Sequence, residues 1–135
     1  MDPIRVFAIV VLVSLPTVMF GGYSLLTLLG RRRLTGFQET FFRAGHAHAG
    51  VLLVFGLAYL AFLARTDFGP GLRWIAVALL ALGIVAQSGG MFLHMAVGQS
   101  GSWSVGNTVT TGGAVLLAAA SLLLAYGVLV TSRTL

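Results

Sequence analysis

Long apolar runs separated by short polar breaks dominate the chain, and their lengths predict helices that cross a membrane. The first runs from about Ile4 to Leu29, uncharged after Arg5. A polar stretch follows, with Arg31, Arg32, Arg33, Gln38, Glu39 and Arg43, and a second apolar run extends from about His46 to Ala64. Arg65–Thr66–Asp67 ends it, and Phe68–Gly69–Pro70–Gly71 is a turn signal. A third run covers about Leu72 to Val97, Gly98 to Gly106 is a polar loop, and a fourth run covers about Asn107 to Val130. Crossing the hydrocarbon of a bilayer takes about 20 helical residues, and each run is about that long. Four spans joined by short loops imply an all-α, up-down-up-down four-helix bundle in the membrane, one domain over 1–135 with both termini on one side.

Composition agrees with that pattern. Of the 135 residues, 58% are hydrophobic and 8% charged, against about 25% charged in a soluble domain. The net charge is +5, and every basic residue is an arginine. These arginines cluster at the ends of apolar runs, so the expected partners are lipid headgroups rather than nucleic acid. Arg31, Arg32, Arg33 and Arg43 fall on one side and Arg5, Arg65, Arg73 and Arg133 on the other. Orientation therefore leans only on the tighter cluster, toward a cytoplasmic first loop. The first run exceeds the apolar stretch of a signal peptide and precedes three more spans, so it is expected to be a retained helix. The expected location is the cell membrane, multi-pass. With no cysteine, disulfides, thiolate metal sites and cysteine nucleophiles are excluded.

Polar groups inside apolar spans are costly without partners, and they mark where chemistry is to be sought. Those here are His46, His48, Gln87, His94, Asn107, Thr108, Thr110 and Thr111. His46 and His48 stand two apart, about 200° around a helix, so they cannot chelate on one face. Each reads either as an interfacial histidine bonded to loop backbone or as a cofactor ligand, and small neighbours at Gly45, Ala47, Ala49 and Gly50 leave room for a flat group. A neutral imidazole is a good axial ligand for haem iron. Antiparallel neighbours would let His94 reach the depth of His46 and His48, making a three-histidine cluster or a bis-histidine haem geometrically open. Asn107 reads as a helix cap or as a donor to a substrate oxygen. The three threonines can bond back to their own helix. Arg43 could contact a haem propionate or a headgroup. Pro16 with Gly21 and Gly22 breaks the first span where a neighbouring helix or a cofactor should cover it.

Thr17–Val18–Met19–Phe20–Gly21–Gly22 late in the first span, and Arg43 followed by Ala47–His48–Ala49–Gly50, carry a resemblance to the styrene oxide isomerase family of small four-helix membrane enzymes. It extends to the length of the loop before the second span and the glycine-rich loop before the fourth. It implies haem b held between subunits of a homo-oligomer, a trimer in that family, with His48 as the iron ligand, His46 as its rival and Arg43 on a propionate. It further implies ferric iron acting as a Lewis acid on a small apolar epoxide, without net redox change. Two family positions that bond substrate read differently: the asparagine is Val54 (or Leu53 or Phe55), and the tyrosine of the third helix is Phe92. On this reading the missing polar contact falls to His94, Asn107 or His46. The alternatives are a non-enzymatic haem protein for electron transfer or gas sensing, ligated by His48 with His94, and a cofactor-free structural subunit.

Overall fold

The computed structural model describes residues 1–31 and 33–131, so Arg32 and Arg133 lie outside the described residues. Four helices follow one another: α1 (Pro3–Gly30), α2 (Gly36–Leu63), α3 (Pro70–Val97) and α4 (Val105–Val130). All four are long and apolar enough to cross a bilayer, and large side chains such as Val13, Met19, Val51, Val85, Leu122 and Leu129 are exposed along them. Such a surface suits lipid rather than water. The chain is a multi-pass membrane protein built as an up-down bundle.

Each helix start has a local cause. Asp2 caps α1, its side chain accepting from the Ile4 amide at 3.2 Å with Pro3 in the first turn. Thr35 and Gln38 form a reciprocal capping box at α2. That box corrects the expected second span: α2 begins at Gly36, ten residues before His46. Phe37, Phe41 and Phe42 thus lie in its opening turns, and Arg43 belongs to the helix. Similarly, α4 starts at Val105 with Ser104 as its N-cap.

The helices do not share contacts evenly. The closest pair is α3 with α4, α2 lies on α3, and α1 leans chiefly on α2; α1 and α4 do not touch. The tight pair has a sequence cause. Small residues recur every seven positions on both helices: Ala76, Gly83 and Gly90 on α3, and Gly106, Gly113, Ala120 and Gly127 on α4, all buried. A seven-residue repeat keeps one stripe of a helix facing its neighbour, and small residues let backbones approach. A Cβ at Gly90 would lie 2.7 Å from the Gly106 carbonyl oxygen, and one at Gly113 would lie 2.8 Å from Gln87 Cα. Backbone therefore meets backbone across this seam.

The large apolar side chains fill the half of the bundle near the α2–α3 turn. Val11, Leu53, Leu60, Leu63, Val77, Leu80, Ile84 and Leu117 form one cluster. Within it, the fully buried Tyr59 donates its hydroxyl to the Ala120 carbonyl at 2.9 Å, tying α2 to α4. Buried Thr66 closes the turn, bonding the Leu63 carbonyl at 2.8 Å and accepting Arg73 Nη2 at 3.1 Å on its own carbonyl. The opposite half carries glycines, phenylalanines and all three histidines.

Candidate functional site

The three histidines occupy three different environments. His94 lies one turn from the end of α3, and His46 and His48 lie ten and twelve residues into α2. His94 meets the ring of Phe41 on α2, so at 1.5 Å per residue His46 and His48 stand about 8 and 11 Å further along the bundle. Among the described residues no group of three metal-binding side chains comes together. The three-histidine cluster that antiparallel packing left open is not formed among the described residues, because His46 and His48 lie deeper than His94.

His94 is buried, 4% exposed. Its Nδ1 lies 2.6 Å from Ser104 Oγ. The rings of Phe37 and Phe41 meet it edge-on, with centroids at 5.2 and 4.3 Å. Its carbonyl also accepts the Gly98 amide at 2.7 Å. The imidazole thus joins the last turn of α3 to the cap of α4 and to the first turns of α2.

Asn107 belongs to the same network. Its Oδ1 accepts the Ser104 amide at 2.9 Å and lies 3.3 Å from Ser104 Oγ. It closes the capping box from the third position of the helix, while Ser104 is the N-cap. Thr108 Oγ1 accepts from Trp103 Nε1 at 3.0 Å, which pins the loop tryptophan to α4. His94 and Asn107, both candidates for substrate contact, therefore stand together in the α3–α4 corner, away from the other two histidines.

His48 looks outward. Its Nδ1 lies 2.9 Å from the Ala44 carbonyl oxygen one turn earlier. A carbonyl only accepts, so Nδ1 is the donor, and in the neutral ring Nε2 is the nitrogen with the lone pair. Beside the ring lies a hollow of about 180 Å³ lined by Ala47, His48, Val51 and Leu52, all on α2. It opens away from the bundle. Arg43 is engaged elsewhere, its Nη2 2.6 Å from Glu39 Oε1 in a largely exposed i,i+4 pair.

His46 looks the other way, toward α1. Gly21 and Gly22 form a notch that receives its ring: a Cβ on Gly22 would lie 2.9 Å from Nε2, and one on Gly21 3.4 Å from Nδ1. This explains the glycine pair after Pro16, where a helix thinned by missing side chains admits an imidazole. A cavity of about 210 Å³ adjoins the ring, lined by Thr17, Val18, Gly21, Phe42, His46, Ala49 and Phe92. Phe92 packs edge-on against Phe42 at 5.5 Å and lies over Gly45, whose Cβ would come within 2.9 Å of it. Val54 is 60% exposed on the outer surface of α2. The structure thus separates Val54, on the outside, from Phe92, which lies on the His46 side.

The seven-residue stripe of small residues escaped the sequence reading, although its signal was present. Reading α3 and α4 for small rather than apolar periodicity would have exposed it. No family model matches the chain, and no curated protein or solved structure matches it.

Proposed function

We propose that this four-helix membrane protein binds haem b through His48 and acts in the manner of the isomerase family it resembles. The observation that carries the reading is the His48–Ala44 hydrogen bond. It fixes the tautomer that leaves Nε2 free, and it fixes the ring's direction, as partners of metal-binding histidines do. Small residues, Ala44 and Ala47, neighbour His48 on α2, and a hollow adjoins its ring. The donor set therefore fits an axial haem ligand.

The hollow beside His48 is about 180 Å³, below the roughly 300–1,000 Å³ of ordinary ligand pockets. One chain does not enclose a porphyrin, so on this reading a second copy closes over the outer face of α2. Bound ferric haem would supply a Lewis acid for the oxygen of a small apolar epoxide. The chain's own part is to hold the ligand nitrogen, exclude water behind Val51 and Leu52, and admit an apolar substrate from the bilayer. Arg43 would have to leave Glu39, or share it, to reach a propionate.

The test is the visible spectrum of protein purified after haem-replete expression. The expected result is a Soret band with a five-coordinate ferric signature, an oligomeric holoprotein, loss of the band in His48→Ala, and its retention in His46→Leu. Conversion of an aryl epoxide to an aldehyde by the wild type would establish the reaction. Absence of haem, or its full retention in His48→Ala, overturns the proposal.

A further inference from the structure

His46 is a polar group without a polar partner at the α1–α2 seam. No hydrogen bond reaches its ring among the described residues, whereas His48 and His94 are each bonded. The ring lies ten residues into a 28-residue helix, about 15 Å from its start. An imidazole at that depth costs free energy unless something satisfies it. Its nitrogens are not sealed by protein, and a cavity of about 210 Å³ adjoins the residue.

The walls of that cavity define what it can take. Phe42 and Phe92 offer ring faces and edges, Gly21 removes bulk, and Thr17 adds one hydroxyl. Charged residues are absent from the lining, which argues against an ion. A dry apolar cavity of about 150 Å³ accommodates a benzene ring, so this one has space for a ring and a short polar substituent. A neutral imidazole presents one donor and one acceptor, and a hydroxyl can answer either.

We infer that the cavity between α1, α2 and α3 is a binding site for a small neutral one-ring molecule bearing a single hydroxyl, with His46 as its polar anchor and Phe42 and Phe92 as its apolar walls. The site lies on the opposite side of α2 from His48 and needs no haem. The glycine notch on α1 sets the position of the imidazole, and the loosely packed α1 gives the ligand a route from lipid.

The test uses the full chain in lipid nanodiscs, with histidine ring nitrogens labelled for NMR and benzyl alcohol as probe, toluene as its hydroxyl-free counterpart. Benzyl alcohol should shift the His46 resonances saturably, with an apparent affinity at least tenfold above that of toluene. The same titration of His46→Leu, followed on methyl groups of Val18, corrects for partitioning into lipid and should show no saturable component. Ala49→Leu, which fills the cavity while leaving His46 in place, should also abolish saturation, and His48→Ala should not. Equal affinities for the two probes, saturable binding that survives in His46→Leu, or shifts centred on His48 or His94 would overturn the assignment.

Discussion

Gly89 and Gly90 are consecutive residues of α3, and the structure predicts opposite consequences for the same substitution. A Cβ at Gly89 meets nothing within 4 Å. A Cβ at Gly90 would fall 2.5 Å from the Thr110 amide nitrogen and 2.7 Å from the Gly106 carbonyl oxygen. Neither atom can rotate away, because both belong to the backbone of α4. Alanine in place of glycine within a helix is favourable by about 1 kcal/mol through the backbone alone. That term is common to both variants and drops out of their difference. What remains is the separation of α3 from α4. Overpacking a well-packed interface typically costs about 1–3 kcal/mol, and a seam of backbone on backbone belongs toward the upper end. Gly89→Ala is expected to be neutral to slightly stabilising, and Gly90→Ala less stable than Gly89→Ala by about 2–3 kcal/mol. Reversible unfolding in mixed micelles, followed by far-ultraviolet circular dichroism and tryptophan fluorescence, measures the difference. Equal stability of the two variants would refute the close approach of α3 and α4. Gly112→Ala and Gly113→Ala repeat the experiment from the other helix, since Gly112 faces open space and Gly113 faces the backbone of Gln87.

Other outcomes follow from single contacts. Tyr59→Phe removes the hydroxyl bonded to Ala120 and should cost about 0.6–1.7 kcal/mol, from the average to the maximum for hydrogen bonds between membrane helices; the same unfolding assay reads it. Ser104→Ala deletes the cap of α4 and the partner of His94, with an expected loss of about 1–2 kcal/mol and faster amide exchange confined to the first turn of α4. Arg43→Ala breaks an exposed pair with Glu39, so stability should change by less than about 1 kcal/mol, and a larger loss would point to a contact beyond that pair.

The sequence made the architecture legible because a membrane span declares itself by length and by the absence of charge. Its boundaries were harder to read where charge and apolarity mix. Phe37 to Arg43 carries two charged residues in seven, yet the capping box of Thr35 and Gln38 starts α2 before it. The residues of that box were visible, but the charges after them argued for a loop. The histidines were found by type alone, since an imidazole in an apolar run is conspicuous. Their separation was not, because it depends on where α2 begins. The 200° between His46 and His48 was readable from spacing, and it does set them on opposite sides of the helix. That Gly21 and Gly22 seat His46 was not readable, since it depends on how α1 leans on α2.

The uneven contacts of α1 bear on how the chain assembles during synthesis. α1 is made before α2, α3 and α4, and it touches neither α4 nor, to any great extent, α3. It must therefore wait in lipid until α2 emerges. The glycine-seamed hairpin of α3 and α4, made after α1 and α2, contains most of its stabilising surface within itself. A fragment beginning at Pro70 should keep its two helices paired, whereas one ending at Leu63 should retain only a loose couple. Insertion thus runs from the least committed helix to the most committed pair, and the scaffold that holds the early helices in register arrives after them.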